Sequence, residues 1–303
     1  MRVLVTGAGG MLADAVGAEL AGAGDEVLGV FLSEVEATAG KARFPHGAVY
    51  EFGRGRGGTT WLEDFERTVA AFRPDWVFHL AAWTNVDACE QEPERAWRSN
   101  ADGCLEVALV ARRQKARLLV VSTDYVYSGR SERPWREDDP TEPASVYGRT
   151  KLAGEAFVRD LGGEHAIVRT AWLYGPRGKN FVDTIRLRLE QGDPVQVVND
   201  QRGCPTLTTD LAGALRTLAQ RDARGVVHVT NAGDATWFDL AHEIARHLGC
   251  ESLVSPITSE ALNRPAPRPV YSVLDTSRYA ALAGAALPDW RDALRRYLEF
   301  VQA

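Results

Sequence analysis

The chain opens with Arg2-Val3-Leu4-Val5-Thr6, which runs directly into Gly7-Ala8-Gly9-Gly10-Met11-Leu12-Ala13, and no other stretch limits its possible folds as strongly. The run from Arg2 to Thr6 is short and rich in β-branched residues, as a buried strand requires, while Val16 and Leu20 continue at helical spacing. The reading is strand, glycine turn, helix. Gly7 and Gly10 permit a tight turn and close approach to a pyrophosphate, and the helix start supplies unpaired N–H groups and the positive end of its dipole. Gly7, Gly10, Met11 and Leu12 are therefore candidates for holding a dinucleotide, with Ala13 small enough to pack helix against strand.

The same alternation continues downstream. Glu26–Phe31 reads as a second strand, whose following residues would face the adenosine ribose. Glu34 is placed to accept from a ribose hydroxyl, and Lys41 and Arg43 are equally placed to reach a phosphate, so the choice between NAD and NADP stays open. Tyr50-Glu51-Phe52 is assigned to a third strand, and Gly53 to Gly58 to a turn. A fourth strand begins at Asp75 and ends in Ala81 and Ala82, small residues against which a cofactor can lie, with His79 a core histidine. Ala96 to Arg113 has helical spacing, Ala166–Arg169 forms a further strand, and Val226–Val229 returns to the main sheet. The expectation is an α/β fold: a doubly wound parallel sheet over 1–170, with 171–303 mostly a smaller, partly interleaved substrate domain. That second region should contain helices at Phe181–Gln191, Trp237–Leu248 and Trp290–Val301, and an extended Val195–Val198.

Leu118-Leu119-Val120-Val121 delivers Ser122, Thr123, Asp124 and Tyr125 to a strand end, where α/β folds bind ligands. After a proline-rich loop, Arg130 to Pro143, comes Tyr147-Gly148-Arg149-Thr150-Lys151. Tyr147 and Lys151 are four apart and share a helix face. An ammonium beside a phenol favours phenolate, which would lower the usual pKa of about 10 and make the tyrosine a proton donor or acceptor.

With 35 Lys and Arg against 41 Asp and Glu the net charge is -6 and no dense basic block occurs, which argues against a nucleic-acid surface. Cys89, Cys104, Cys204 and Cys250 are far apart, which disfavours a zinc site or a disulfide framework, and metal-independent chemistry is expected. No apolar run approaches the roughly 18 to 20 residues of a membrane span, so a soluble, cytoplasmic protein is expected.

These motifs in order are joined by Ala81-Ala82-Trp83-Thr84-Asn85-Val86-Asp87, Arg169-Thr170-Ala171-Trp172-Leu173-Tyr174-Gly175, Asp200-Gln201-Arg202-Gly203-Cys204-Pro205-Thr206 and Arg264-Pro265-Ala266-Pro267-Arg268-Pro269. Together they resemble the extended short-chain dehydrogenase/reductase family, in its dTDP-4-dehydrorhamnose reductase branch. The resemblance implies a Rossmann-type sheet, NADPH or NADH, and a nucleotide-sugar substrate, most closely dTDP-4-dehydro-L-rhamnose reduced at C4. It implies Tyr147 as proton donor, Lys151 as its electrostatic partner and the holder of the nicotinamide ribose, and Thr123 as the group that positions the carbonyl. Ala81, Ala82 and Trp83 would meet the cofactor; Thr84, Asp124, Tyr125 and Trp172 the sugar; and Arg268 the diphosphate. A monomer or homodimer is expected. Related readings are a dihydrostreptose or antibiotic-deoxysugar reductase, or a non-catalytic subunit of the kind that regulates methionine adenosyltransferase. Ala13, Tyr50-Glu51-Phe52, Tyr127 and Trp83 depart from the branch pattern.

Overall fold

The computed structural model describes residues 1–53 and 60–302; the part of the expected Gly53 to Gly58 turn beyond Gly53 lies outside the described residues. Seven strands form the central sheet: β1 (Arg2–Thr6), β2 (Glu26–Phe31), β3 (His46–Val49), β4 (Trp76–His79), β5 (Arg117–Thr123), β6 (His165–Thr170) and β7 (Gly225–His228). Their order is β7-β6-β5-β4-β1-β2-β3 with every pair parallel. The direction of winding reverses between β1 and β4, where a parallel sheet opens a crevice beyond its strand ends. Tyr50-Glu51-Phe52, expected within the third strand, falls just after it, because β3 stops at Val49.

Both faces of the sheet are covered, which is why its strands are apolar without alternation. Val3, Val5, Phe78, Val168 and Val227 pack beneath α1 (Met11–Gly22) and the helix Thr208–Gln220. Leu4, Val77, Val120 and Ile167 point the other way, into Phe65, Val69, Val107 and Val158. A second core lies between the helices Phe181–Glu190, Trp237–Leu248 and Trp290–Gln302, with Val195, Val197, Leu240, Ile244 and Leu294 at its centre. The strand Val195–Val198 pairs with Val254–Ile257 in that core.

The segment Ala96–Arg113 is not one regular helix. A π-helical turn, Arg98–Asp102, separates Pro93–Trp97 from Gly103–Arg113 and turns Asn100 inward. Such turns carry one extra residue and redirect a side chain, often at functional sites. No helix among the described residues is long and apolar enough to cross a membrane.

Candidate active site

The glycine turn closes as its residues require. Gly7 has φ +70°, Gly10 N–H donates to the Gly7 carbonyl at 2.9 Å, and a Cβ at Gly7 would lie 2.8 Å from the backbone of Ala81. The turn thus rests on the end of β4, in the crevice between β1 and β4. Helix α1 begins at Met11 with no side chain capping it, so its first N–H groups are available to an anion. Leu12 turns its side chain into the core and has only its backbone to offer. Gly178, in the loop before Asn180, lies over Met11 and closes the far side of the cradle. These features suit a pyrophosphate. Below them His79 is buried, with Nδ1 2.8 Å from Thr6 Oγ1; burial, then the nearby Lys151 charge, drives its pKa down to about 3, so it is a neutral core histidine.

The second cluster forms where β5 meets helix α2 (Val146–Leu161). Ser145 caps α2 by accepting from Gly148 N–H at 3.1 Å, and Glu90 Oε2 accepts from Val146 N–H at 2.9 Å. Gly148 lies against the Tyr125 carbonyl, where no Cβ fits, so this helix can approach the strand end closely. Tyr147 thereby meets Thr123, and its ring contacts Tyr125 edge-on at 5.6 Å. One turn later, buried Lys151 donates from Nζ to the Val121 carbonyl at 2.8 Å.

The electrostatics differ from the expectation that Lys151 lowers the Tyr147 pKa. Burial raises the phenol above its ordinary value, opposed by the Thr123 hydroxyl, while burial lowers the Lys151 pKa. The cause is geometric: the buried lysine is committed to a backbone carbonyl, and the phenol is partly buried against Trp83 and Tyr125. A phenol held neutral is suited to donate a proton. Asp124 is also buried; Thr123 Oγ1 donates to its Oδ1 at 3.0 Å, and its Oδ2 has no hydrogen-bond partner among the described residues. Burial pushes this carboxyl up to about 6, with the Ser272 and Thr123 hydroxyls opposing.

The remaining candidates are placed unevenly. Trp83 is held by Asn100, whose Oδ1 accepts from its N–H at 2.7 Å and whose Nδ2 donates to its carbonyl at 3.2 Å and to Thr150 Oγ1 at 3.1 Å. Asn100 thus ties the β4 end to the tyrosine helix; its signal in the sequence was a lone Asn within a helical run. Ala82 continues the β4 end and Thr84 is exposed beside it. Trp172, with φ +48°, is stacked face to face on Trp237 at 3.6 Å with 5° between the planes, so that face is not free for a sugar. Gly203 packs against the same indole, where a Cβ would lie 2.6 Å from Cε2. Arg268 is not a free cation: its two terminal nitrogens donate to Asp87 at 3.0 and 2.9 Å. At Asp87 burial works upward, but Arg268, the Ala266 amide and Arg264 together hold the carboxyl below its ordinary range. Glu34 is exposed; the carboxylate at the glycine turn is that of Glu36. No group of three His, Cys, Asp or Glu among the described residues could hold a metal ion.

The RmlD substrate binding domain family matches residues 1–303. A Streptomyces griseus protein named dTDP-4-dehydrorhamnose reductase is 48% identical over 255 residues, covering 82% of this chain and 84% of its own. A Streptomyces antibioticus protein named probable dTDP-4,6-dihydroxy-2-methyloxan-3-one 4-ketoreductase is 39% identical over 298 residues, covering 97% and 94%. The crystal structure of dTDP-4-dehydrorhamnose reductase from Bacillus anthracis in complex with NADP superposes with a TM-score of 0.86 at 31% identity, covering 100% of this chain and 99% of that one. With the glycine turn, the Thr123-Tyr147-Lys151 cluster and the second core all inside one full-length match, the chain belongs to the RmlD substrate binding domain family.

Proposed function

We propose that the protein reduces the C4 ketone of a dTDP-4-keto-6-deoxy sugar with NADH or NADPH, and that dTDP-4-dehydro-L-rhamnose is its substrate. The observation that carries this reading is Tyr147 against Thr123 at the end of β5, with Lys151 buried one helical turn below. A bound nicotinamide supplies the hydride. Thr123 positions the ketone oxygen, and Tyr147, neutral at working pH as a phenol is, gives its proton to that oxygen as negative charge develops there. Lys151 supports the phenolate left behind and the ribose beside it.

Gly7, Gly10, Met11 and Leu12 hold the pyrophosphate, and Ala81, Ala82 and Trp83 form the wall along which the dinucleotide lies. Asp124, Tyr125 and Thr84 line the sugar side. Trp172, steadied by Trp237, offers its remaining surface, so residues 171–303 supply the outer wall of the sugar site. Arg268, held by Asp87 close to Tyr125, is the diphosphate candidate and would meet that group as a charge already shared with Asp87. In the assay, purified protein, reduced cofactor and a panel of 4-keto sugar nucleotides should show loss of absorbance from the nicotinamide. Tyr147→Phe should keep the fold and cofactor binding while kcat falls by roughly 10²–10⁴. Absence of cofactor oxidation across the panel, or an unaffected Tyr147→Phe, would overturn the reading.

A further inference from the structure

We infer that Glu36 sets the dinucleotide preference of this chain, selecting the free ribose of NADH over the 2′-phosphorylated ribose of NADPH. The inference rests on the proposed reading that the glycine turn holds a nicotinamide dinucleotide. In folds of this kind the segment after the second strand meets the adenosine ribose: a carboxylate there accepts from ribose hydroxyls, whereas a cation there pairs with a 2′-phosphate. Sequence order nominates Glu34, Lys41 or Arg43 for that position, and the structure selects none of them.

Ser33 caps the short helix Glu34–Gly40 by accepting from Glu36 N–H, which turns the Glu36 side chain back toward the strand end. Its Oε2 accepts from Leu32 N–H at 3.1 Å and lies on the glycine turn, where a Cβ at Gly9 would be 2.7 Å away. Glu34 is exposed. The cations are held elsewhere or point outward. Arg43 Nε donates to Asp14 on α1 at 3.3 Å, Arg177 Nε lies 3.4 Å from the same carboxylate, and Lys41 is exposed at the far end of the short helix. Among the described residues, the charge resting on the turn is therefore negative.

A second feature marks the same place as a ligand surface. Leu32 and Val35, which precede the carboxylate in sequence, are 57% and 80% exposed and leave apolar surface beside it. An adenosine has the matching character, a flat apolar base joined to a ribose rich in hydroxyls. A 2′-phosphate would bring about two more negative charges to a site that already holds one. Such a phosphate would compete with Asp14 for the Arg43 guanidinium.

The test is direct binding, read apart from turnover. NADH and NADPH are titrated against the protein by fluorescence, and adenosine 5′-monophosphate and adenosine 2′,5′-bisphosphate by calorimetry, at low and high salt, for the wild type, Glu36→Gln and Glu34→Gln. The wild type should bind NADH about tenfold or more tighter than NADPH, with the ratio shrinking as salt screens the contact. Glu36→Gln should bring the ratio close to one, mainly by improving NADPH binding, and Glu34→Gln should leave it unchanged. The inference is overturned by equal or tighter binding of NADPH to the wild type, by a ratio that Glu36→Gln does not move, or by a ratio that collapses in Glu34→Gln. Failure to bind either dinucleotide overturns both this inference and the dinucleotide reading. A clear NADH preference without turnover of any keto sugar overturns the proposed reaction and leaves this inference standing.

Discussion

Replacing Asp124 by Asn should change how stability depends on pH, and its size follows from the burial of one carboxyl. Asp124 is 2% exposed and its pKa is raised from 3.8 to about 6, chiefly by burial. The folded chain therefore holds this proton more tightly than the unfolded chain does. Its stabilising contribution is complete below about pH 4 and is lost as pH rises through about 6. At ~1.36 kcal/mol per pH unit, the interval from 3.8 to about 6 is worth about 3 kcal/mol. Asn cannot ionise, and the other titrating groups are common to both proteins. The stability of the wild type minus that of Asp124→Asn should thus fall by about 2–3 kcal/mol between pH ~4 and pH ~7, whatever constant offset the amide introduces. Urea unfolding at closely spaced pH values measures that difference directly. A flat difference would refute the reasoning. A wild type that gains on the variant as pH rises would refute it more sharply, because it would mean that Thr123 and Ser272 hold Asp124 ionised in spite of its burial.

Three other substitutions test the framework around the site. Gly7→Ala should cost about 2–5 kcal/mol in chemical unfolding, combining a left-handed φ with a Cβ pressed onto the backbone of Ala81, and should abolish dinucleotide binding. Glu155→Ala should cost about 3–5 kcal/mol, because Arg169 would keep a buried charge after losing contacts of 2.6 and 3.0 Å, and Ser122, next to Thr123, would lose its 2.6 Å hydrogen bond to that carboxylate. An effect below about 1 kcal/mol in denaturant titration would show that the pair contributes little. Asn100→Ala should cost about 2–4 kcal/mol by leaving the Trp83 N–H without its partner and its carbonyl with only the weak Cys89 thiol donor. Near-ultraviolet circular dichroism should then report a loosened Trp83, and an unchanged spectrum with unchanged stability would count against the clamp.

Much of the fold was legible in the sequence because its signals are local. Apolar β-branched runs interrupted by turns predicted the strands of the central sheet, and the return of Val226–Val229 placed its seventh strand in the second half of the chain. The π turn at Arg98–Asp102 was not legible, since a helix carrying one extra residue has almost the same apolar spacing as a regular one. The end of the third strand was misplaced for a related reason: Tyr50 and Phe52 are as apolar as a strand requires, but they pack with Phe65 beyond the sheet.

The sequence by itself determined the glycine turn, the tyrosine–lysine spacing and the small residues at the strand ends, because backbone freedom, helical periodicity and side-chain size are properties of short segments. Only the tertiary structure decided what those groups meet. It took Asp124 fully and Tyr147 partly out of water, raising both their pKa values, sent the Lys151 ammonium to Val121, stacked Trp172 on Trp237, paired Arg268 with Asp87, and laid Glu36 rather than Glu34 on the turn. Burial and partnership are set by segments far apart in the chain, so no local pattern encodes them, and the electrostatics of the site exist only once those segments are packed together.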